Sequence, residues 1–295
     1  MIEPIVDISR WQDDVNVDTL LSRGVRGVYI KAGYTYWKNG LMFEDSWFQR
    51  NYEKFHGKIP LGCYYWFVPG TNGAGQGMFF SQQLIRDKVF ELPPAIDVEE
   101  NNTNTNKTNF QQTLKACLNV VAKQSKTPAI YTRGSFWNVH VGNPAWASAY
   151  KLWAALYNDW VKHPWNYTGG ERYRPLPWND YWLWQYSEKG DGPYYGTLPY
   201  KSNQIDLNRC NMTESEWAEL VGGSVVVPEP PPEPEMPETV TVNAPWGLRV
   251  RNMPTTAGSE IMGVLLNGTR VQVLGDDGDW YKVGLDGWVH KDYVR

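Results

Sequence analysis

Cysteine and histidine are scarce in this chain of 295 residues. Cys63, Cys117 and Cys210 are its only cysteines, an odd number at wide spacing, and the four histidines are scattered. That pattern argues against a disulfide framework and against a zinc site, so free buried thiols are expected, with no metal and no other cofactor. Basic residues do not predominate either. The 28 Lys and Arg against 32 Asp and Glu give a formal net charge of −4 and a pI near 5.7, which argues against a general nucleic-acid binder. No apolar run approaches the ~20 residues that a membrane-spanning helix needs, so no membrane insertion is expected. The opening Met-Ile-Glu-Pro-Ile-Val-Asp has no basic segment followed by an apolar core. A chain made in the cytoplasm without a secretory signal is expected.

Aromatic rings, in contrast, are abundant. Phe, Trp and Tyr make up 15% of the chain, with 16 Trp and 18 Tyr. Amphipathic rings serve both a packed core and the holding of sugars or other flat, half-polar ligands, and composition does not divide the two uses. From Val227 to Glu238 proline alternates with glutamate. Such a stretch cannot bury a core and favours an extended polyproline II spacer stiffened by like charges. It predicts a large domain over 1–222, a linker over 223–239 and a small domain over 240–295.

In the large domain eight apolar runs read as strands: Pro4–Ser9, Val25–Lys31, Ile59–Phe67, Ala95–Glu99, Pro128–Thr132, Leu152–Tyr157, Tyr181–Tyr186 and Gln204–Asn208. Phe110, Leu114, Cys117 and Val121 form one apolar stripe of a helix predicted over 108–124. Further helices are predicted over 44–55, 77–88 and 214–221. The last opens with Thr213 and Glu216 as a capping box and stops at Gly222-Gly223. Helices between the early strands, and Trp-, Pro- and Asn-rich gaps between the late ones, predict an α/β fold: a modified eight-stranded β/α barrel. The tail alternates polar and apolar residues in short runs split by Asp and Gly, and predicts a small all-β barrel. Its charges balance and contain no catalytic cluster, as in a recognition module or a plain stability appendage.

Asp97-Val98-Glu99-Glu100 closes the run Pro93-Pro94-Ala95-Ile96. Residues two apart on a strand share a face, roughly 6.6 Å apart along the chain. Asp97 and Glu99 then share one face, with Ile96 and Val98 on the other and Glu100 turned away. Two buried carboxyls that close raise at least one pKa, leaving a proton donor beside an anion at neutral pH. Hydrolysis of a glycosidic bond needs such a pair, although Asp-x-Glu alone is a common surface motif. In β/α barrels chemistry collects where strands end, and Asp7 and Asp206 also fall at or near strand ends. Singly, each could be a cap or a loop hydrogen-bonding group; four acids at one barrel mouth form a pattern. Tyr64, Trp66, Tyr131, Tyr157 and Trp184, with Gln185, are candidates to hold sugar around the cleft, and each ring could equally be core.

These residues carry a resemblance. Asp7-Ile8-Ser9-Arg10-Trp11-Gln12, Asp45-x-x-Phe48-x-x-Asn51, Gly62-Cys63-Tyr64, Ile96-Asp97-Val98-Glu99, Ile130-Tyr131-Thr132, Trp184-Gln185-Tyr186-Ser187 and Ile205-Asp206-Leu207-Asn208 stand in order along the large domain. It resembles the glycoside hydrolase family 25 (Chalaropsis-type) lysozymes found in phage endolysins and bacterial autolysins. The tail, through Leu248-Arg249-Val250-Arg251, Gly268-Thr269-Arg270-Val271-Gln272-Val273-Leu274, Trp280-Tyr281-Lys282-Val283 and Gly287-Trp288-Val289-His290, resembles bacterial SH3-type wall-binding domains. The resemblance implies a barrel with irregular final strands and hydrolysis of the β-1,4 bond between N-acetylmuramic acid and N-acetylglucosamine in peptidoglycan. It implies Glu99 as proton donor to the leaving oxygen, Asp97 as its anionic partner, and Asp7 and Asp206 completing the mouth. It also implies retention of configuration with the substrate's acetamido group attacking, which strand spacing alone leaves open; with no secretory signal at the opening, release to the wall by a holin or by lysis is expected.

Three positions depart from the family pattern: Tyr65 in place of a His, Gly33-Tyr34 in place of an acidic residue, and Leu156 in place of a Gln. None removes a matched carboxylate, so their expected effect is on subsite preference and pH optimum. Two other readings stay open on the residues alone. One is a non-catalytic wall-binding or phage structural protein on a hydrolase scaffold. The other is a hydrolase of a different polysaccharide such as chitin.

Overall fold

The computed structural model describes residues 1–157, 162, 174–198, 202–222, 239–283 and 287–295. The Pro/Glu-rich stretch predicted as a linker lies outside the described residues up to position 238. The chain divides into two units, Met1–Pro231 and Pro232–Arg295.

In the first unit the strands are β1 (Ile2–Ile8), β2 (Gly27–Thr35), β3 (Met42–Glu44), β4 (Leu61–Trp66), β5 (Ala95–Asp97), β6 (Ala129–Arg133), β7 (Lys151–Ala155), β8 (Leu183–Asp191) and β9 (Gln204–Cys210). All but β3 close into an eight-stranded barrel, in the order β1-β9-β8-β7-β6-β5-β4-β2 with β2 returning to β1. Each of the eight predicted runs contributes one barrel strand. Seven run parallel, and β9 runs antiparallel to both neighbours. The strand β3 was not predicted: it folds back on the far end of β2, pairing Gly33, Tyr34 and Thr35 with Glu44, Phe43 and Met42. The helix predicted over 44–55 accordingly begins later, as α2 below.

Strict alternation explains the barrel's two apolar layers. Ile5, Tyr29, Ala95, Ala129, Trp153 and Leu183 fill the inside and the closed end. Their strand neighbours Val6, Val28, Ile30, Ile96, Ile130 and Leu152 face the helices. The interior is crowded: Tyr29 lies 4.6 Å from Trp153 between ring centroids. A Cβ on Gly62 would stand 2.4 Å from the Tyr29 ring, so only glycine fits beside it. Each such fully buried side chain contributes roughly 1.5–3 kcal/mol.

The helices are α1 (Val17–Ser22), α2 (Phe48–Phe55), α3 (Gly73–Met78), α4 (Lys107–Gln124), α5 (Gly134–Phe136) and α6 (Glu214–Leu220). The side chain of Asn106 caps α4 by accepting from the Asn109 amide, and the predicted stripe Phe110, Leu114, Cys117 and Val121 is buried together with Leu118. Thr213 and Glu216 form the predicted capping box at α6. All three cysteines are buried and free.

The second unit is an all-β sheet of β10 (Thr239–Thr241), β11 (Leu248–Arg251), β12 (Ile261–Leu265), β13 (Arg270–Asp277), β14 (Trp280–Val283) and β15 (Gly287–His290). Their spatial order is β10-β13-β14-β15-β11-β12. Val242, Ala244, Leu248, Val283 and Val289 form its core.

Candidate active site

Inward-facing residues near the ends of the parallel strands form the rim of a cleft of about 270 Å³. Strand β1 supplies Asp7, β4 supplies Tyr64 and Trp66, β5 supplies Asp97, β6 supplies Tyr131 and Arg133, and Glu99 follows β5 by two residues. Asp206 reaches the same rim by another route. It is the third residue of β9, and the reversal of that strand carries its start, not its end, to the mouth. There Asp206 stands directly opposite Asp7 in the β1–β9 register. All four predicted acids therefore meet in one cleft.

The strand under the acidic pair is shorter than predicted. It stops at Asp97, and Glu99 lies beyond it. One further backbone bond, from the Val98 amide to the Tyr131 carbonyl at 2.9 Å, together with a bond of 2.8 Å from the Thr132 hydroxyl to the Val98 carbonyl, fixes the direction of the exit. Val98 is buried outside the barrel, and Glu99 returns to the cleft side. Glu100 is absent from the cleft wall among the described residues, and its carboxylate accepts from the Asn102 amide at 2.6 Å.

A buried polar chain orients the Asp7 side of the mouth. The Tyr157 and Tyr131 hydroxyls are 3.0 Å apart, and the Tyr131 hydroxyl donates to Gln185 Oε1 at 2.7 Å. Gln185 Nε2 and Asn208 Nδ2 each donate to Asp7 Oδ2 at 2.8 Å. Trp153 Nε1 in turn donates to Asn208 Oδ1 at 2.8 Å. With both of these amides donating to it, Asp7 is held in one rotamer. Lys31 Nζ lies 4.3 Å from the centroid of the Trp66 ring.

Burial dominates the electrostatics. It raises the Asp7 carboxyl, against the opposing hydrogen bonds from Asn208 and Gln185. It raises Asp206 well above the usual carboxylate range, helped by the charge of Asp7. Asp97 is likewise raised well above its ordinary value, first by burial and then by Glu99, with Lys31 pulling it down. Glu99 is pushed up to about 7 by burial, against Arg133 and Lys31. Lys31 is lowered by burial and sustained as a cation by Asp97, Asp45 and Glu99. Burial thus raises both Asp97 and Glu99, and Lys31 draws both back toward the anion. Asp97 is 4% exposed, and its Oδ1 has no hydrogen-bond partner among the described residues.

Of the predicted contact residues, Tyr64, Trp66, Tyr131, Tyr157 and Gln185 line the cleft. Trp184 does not. It neighbours Gln185 on β8 and so faces the other side of the strand, packing in the helix-side layer with its Nε1 donating to the Leu156 carbonyl at 3.0 Å. The departure at Tyr65 also lies outside the cleft. Its hydroxyl meets that of Thr35 at 2.8 Å within the helix-side core, and Thr35 donates to Gln76 Oε1 at 2.8 Å. Sequence reasoning missed Lys31, Arg133, Glu188, Trp11, Gln12 and Trp153 in the wall, and Asn208 behind it. Three of these were within reach, because Lys31, Arg133 and Asn208 stand two residues from Tyr29, Tyr131 and Asp206 on inward-facing rows.

A larger depression of about 500 Å³ lies at the opposite end of the barrel, around Tyr150, Trp178 and Trp182. Its single acid among the described residues, Asp180, is paired with Arg174 at 3.2 Å and accepts from Asn211 at 2.8 Å. Among the described residues it holds no acid–base pair, so the smaller cleft is the candidate chemical site. Among the described residues no group of three or more His, Cys, Asp or Glu side chains is arranged to hold a metal ion.

Comparison with known proteins gives the family and the fold. Residues 6–193 match the profile of glycosyl hydrolases family 25, and residues 246–295 that of the bacterial SH3 domain. Lysozyme M1 of Streptomyces globisporus is 27% identical over 217 residues, which span 70% of this chain and 67% of the relative. The bacterial lysozyme from Streptomyces coelicolor superimposes with a TM-score of 0.60 at 23% identity, over 75% of this chain and 98% of that one. The CTP1L endolysin does so with a TM-score of 0.56 at 27% identity, over 75% of this chain and 70% of the other.

Proposed function

This chain belongs to glycosyl hydrolase family 25, and from that premise we propose that it is a muramidase, cutting the β-1,4 bond between N-acetylmuramic acid and N-acetylglucosamine in peptidoglycan. The observation that carries the reading is the meeting of Asp7, Asp97, Glu99 and Asp206 in one cleft, flanked by the rings of Tyr64, Trp66 and Tyr157. Glu99, with a pKa near 7, is the proton donor to the leaving oxygen, since a group titrating near the working pH both holds and releases its proton. The unpartnered Asp97 Oδ1 is an acceptor for the acetamido N–H of the substrate. In that role Asp97, as the carboxylate, orients the acetamido carbonyl toward the anomeric carbon and balances the positive charge that forms there, while Glu99 gives its proton to the leaving oxygen and takes up the negative charge. Lys31, close to both acids, stabilises that charge. The Asp7–Asp206 pair holds the far side of the mouth.

The bacterial SH3 domain serves in this reading to bind the wall, which raises the local concentration of the barrel at its substrate. The protein acts as an endolysin or autolysin of a Gram-positive host, reaching the wall after a holin or lysis releases it. Digestion of purified peptidoglycan, followed by reduction and identification of the new reducing end, tests the bond. Reduced N-acetylmuramic acid is the expected product. Reduced N-acetylglucosamine would overturn the bond assignment, and no release from walls that the protein binds would favour a non-catalytic binder.

A further inference from the structure

The cleft has an aromatic continuation that none of the four acids explains. It begins with an irregularity in β2. Lys31 pairs with Tyr64, but the next pair is Gly33 with Tyr65, so one extra residue is inserted at Ala32. A bulge of this kind re-aims the residues that follow. Without it, alternation from Lys31 would send Tyr34 to the helix side. With it, Tyr34 pairs with Trp66 and shares the face by which Trp66 lines the cleft.

On its other edge Tyr34 pairs with Phe43 of β3, and the two rings stack with centroids 5.5 Å apart and planes 27° apart. Trp66, Tyr34 and Phe43 thus form one row that leaves the cleft and crosses onto the hairpin. Arg10 closes its side, with its guanidinium carbon 5.1 Å from the Trp11 ring and 5.7 Å from the Tyr34 ring. Trp11 lines the cleft as well and is 70% exposed. Gly33 is what lets β3 approach, because a Cβ there would stand 2.5 Å from the Phe43 carbonyl oxygen. Tyr34 is also where this chain departs from the acidic residue of the family pattern.

We propose that Tyr34, Phe43 and Arg10 form an outer glycan subsite, which holds sugars of the same peptidoglycan strand beyond the pair at the scissile bond. This rests on the muramidase reading. The occupant follows from continuity and charge. Flat rings in one row offer faces to the apolar sides of successive pyranoses. A guanidinium beside them suits the carboxylates that muramyl residues and their stem peptides carry and that uncharged glycans lack. The subsite therefore gives the enzyme a preference for long muramyl strands.

The test is kinetic, using the full chain and purified peptidoglycan fragments of about four and about eight sugars. The wild-type protein is expected to have a higher kcat/KM on the longer fragment. In Tyr34→Ala/Phe43→Ala that long-over-short ratio should fall by about three- to tenfold, the worth of one or two lost ring contacts. Tyr34→Trp should retain the ratio and Tyr34→Glu should lose it. Phe43→Ala alone, at an exposed position, keeps the test decisive if the double variant does not fold. A ratio unchanged in Phe43→Ala and in Tyr34→Glu would overturn the subsite and leave the muramidase reading standing. Failure of the wild-type protein to cut either fragment would overturn both.

Discussion

Glu99 sits where the demands of chemistry and of folding conflict. A proton donor must keep its proton near neutral pH, and the burial that achieves this makes the ionised form costly. With its pKa near 7 against 4.5 for a free glutamate, the folded protein binds a proton that the unfolded chain has already released. Stability therefore declines as pH rises from about 4.5 to about 7, by as much as about 3 kcal/mol. Glu99→Gln should thus do two opposite things. Lysis should fall by a factor on the order of 10² to 10⁴, as for loss of a general acid, with wall binding unchanged. The melting temperature should rise at pH 8 and change little at pH 4. Melts that show no gain at pH 8 would mean that Glu99 is not strained by ionisation in the free protein. For the active protein, kcat/KM should decline above about pH 7 as the donor deprotonates. The four acids were legible because each follows an apolar run and stands in an ordered motif. Trp184 could have been rejected by alternation alone, since Gln185 beside it cannot share its face. The pull of Lys31 on both Asp97 and Glu99 was not legible, because it comes from another strand.

At the scale of elements the bulged β2 and its hairpin are the least local feature of the fold. Met42-Phe43-Glu44 is too short to show a strand period, and nothing in Lys31-Ala32-Gly33 announces an extra residue. The reversal of β9 was equally hidden, since alternation is the same in either direction along a strand. What could be read was the existence of eight strands and the stripe of α4, both of which rest on long apolar periods. The hairpin depends on Gly33, where an added Cβ would meet the Phe43 carbonyl at 2.5 Å and a Leu84 methyl at 2.8 Å. Gly33→Ala is expected to cost about 1–3 kcal/mol through this overpacking. For a domain of this size that lowers the melting temperature by several degrees, a shift that calorimetry would detect. An unchanged melting temperature would mean that β3 gives way without strain.

At the scale of the whole molecule, the division into Met1–Pro231 and Pro232–Arg295 makes the role of the tail separable. A chain ending at Pro231 should hydrolyse soluble glycan fragments at the full-length rate and clear intact walls roughly 10- to 100-fold more slowly, the loss expected when tethering is removed. Equal losses on both substrates would show that the tail supports the fold of the barrel rather than its targeting. The boundary between the units falls inside the proline–glutamate run, whereas the order of strands within each unit had no local signal. The reversed strand β9 has a last consequence. It makes the first and final strands of the barrel direct partners, with Asp7 opposite Asp206 at the mouth and Ile2 opposite Cys210 at the far end. Helix α6 then packs under that far end, where Trp217 covers the start of β2 beside Gly27. Both extremities of the catalytic fold thus emerge from its floor. Changes made where the chain enters and leaves the barrel are therefore expected to leave the groove and its four acids in place.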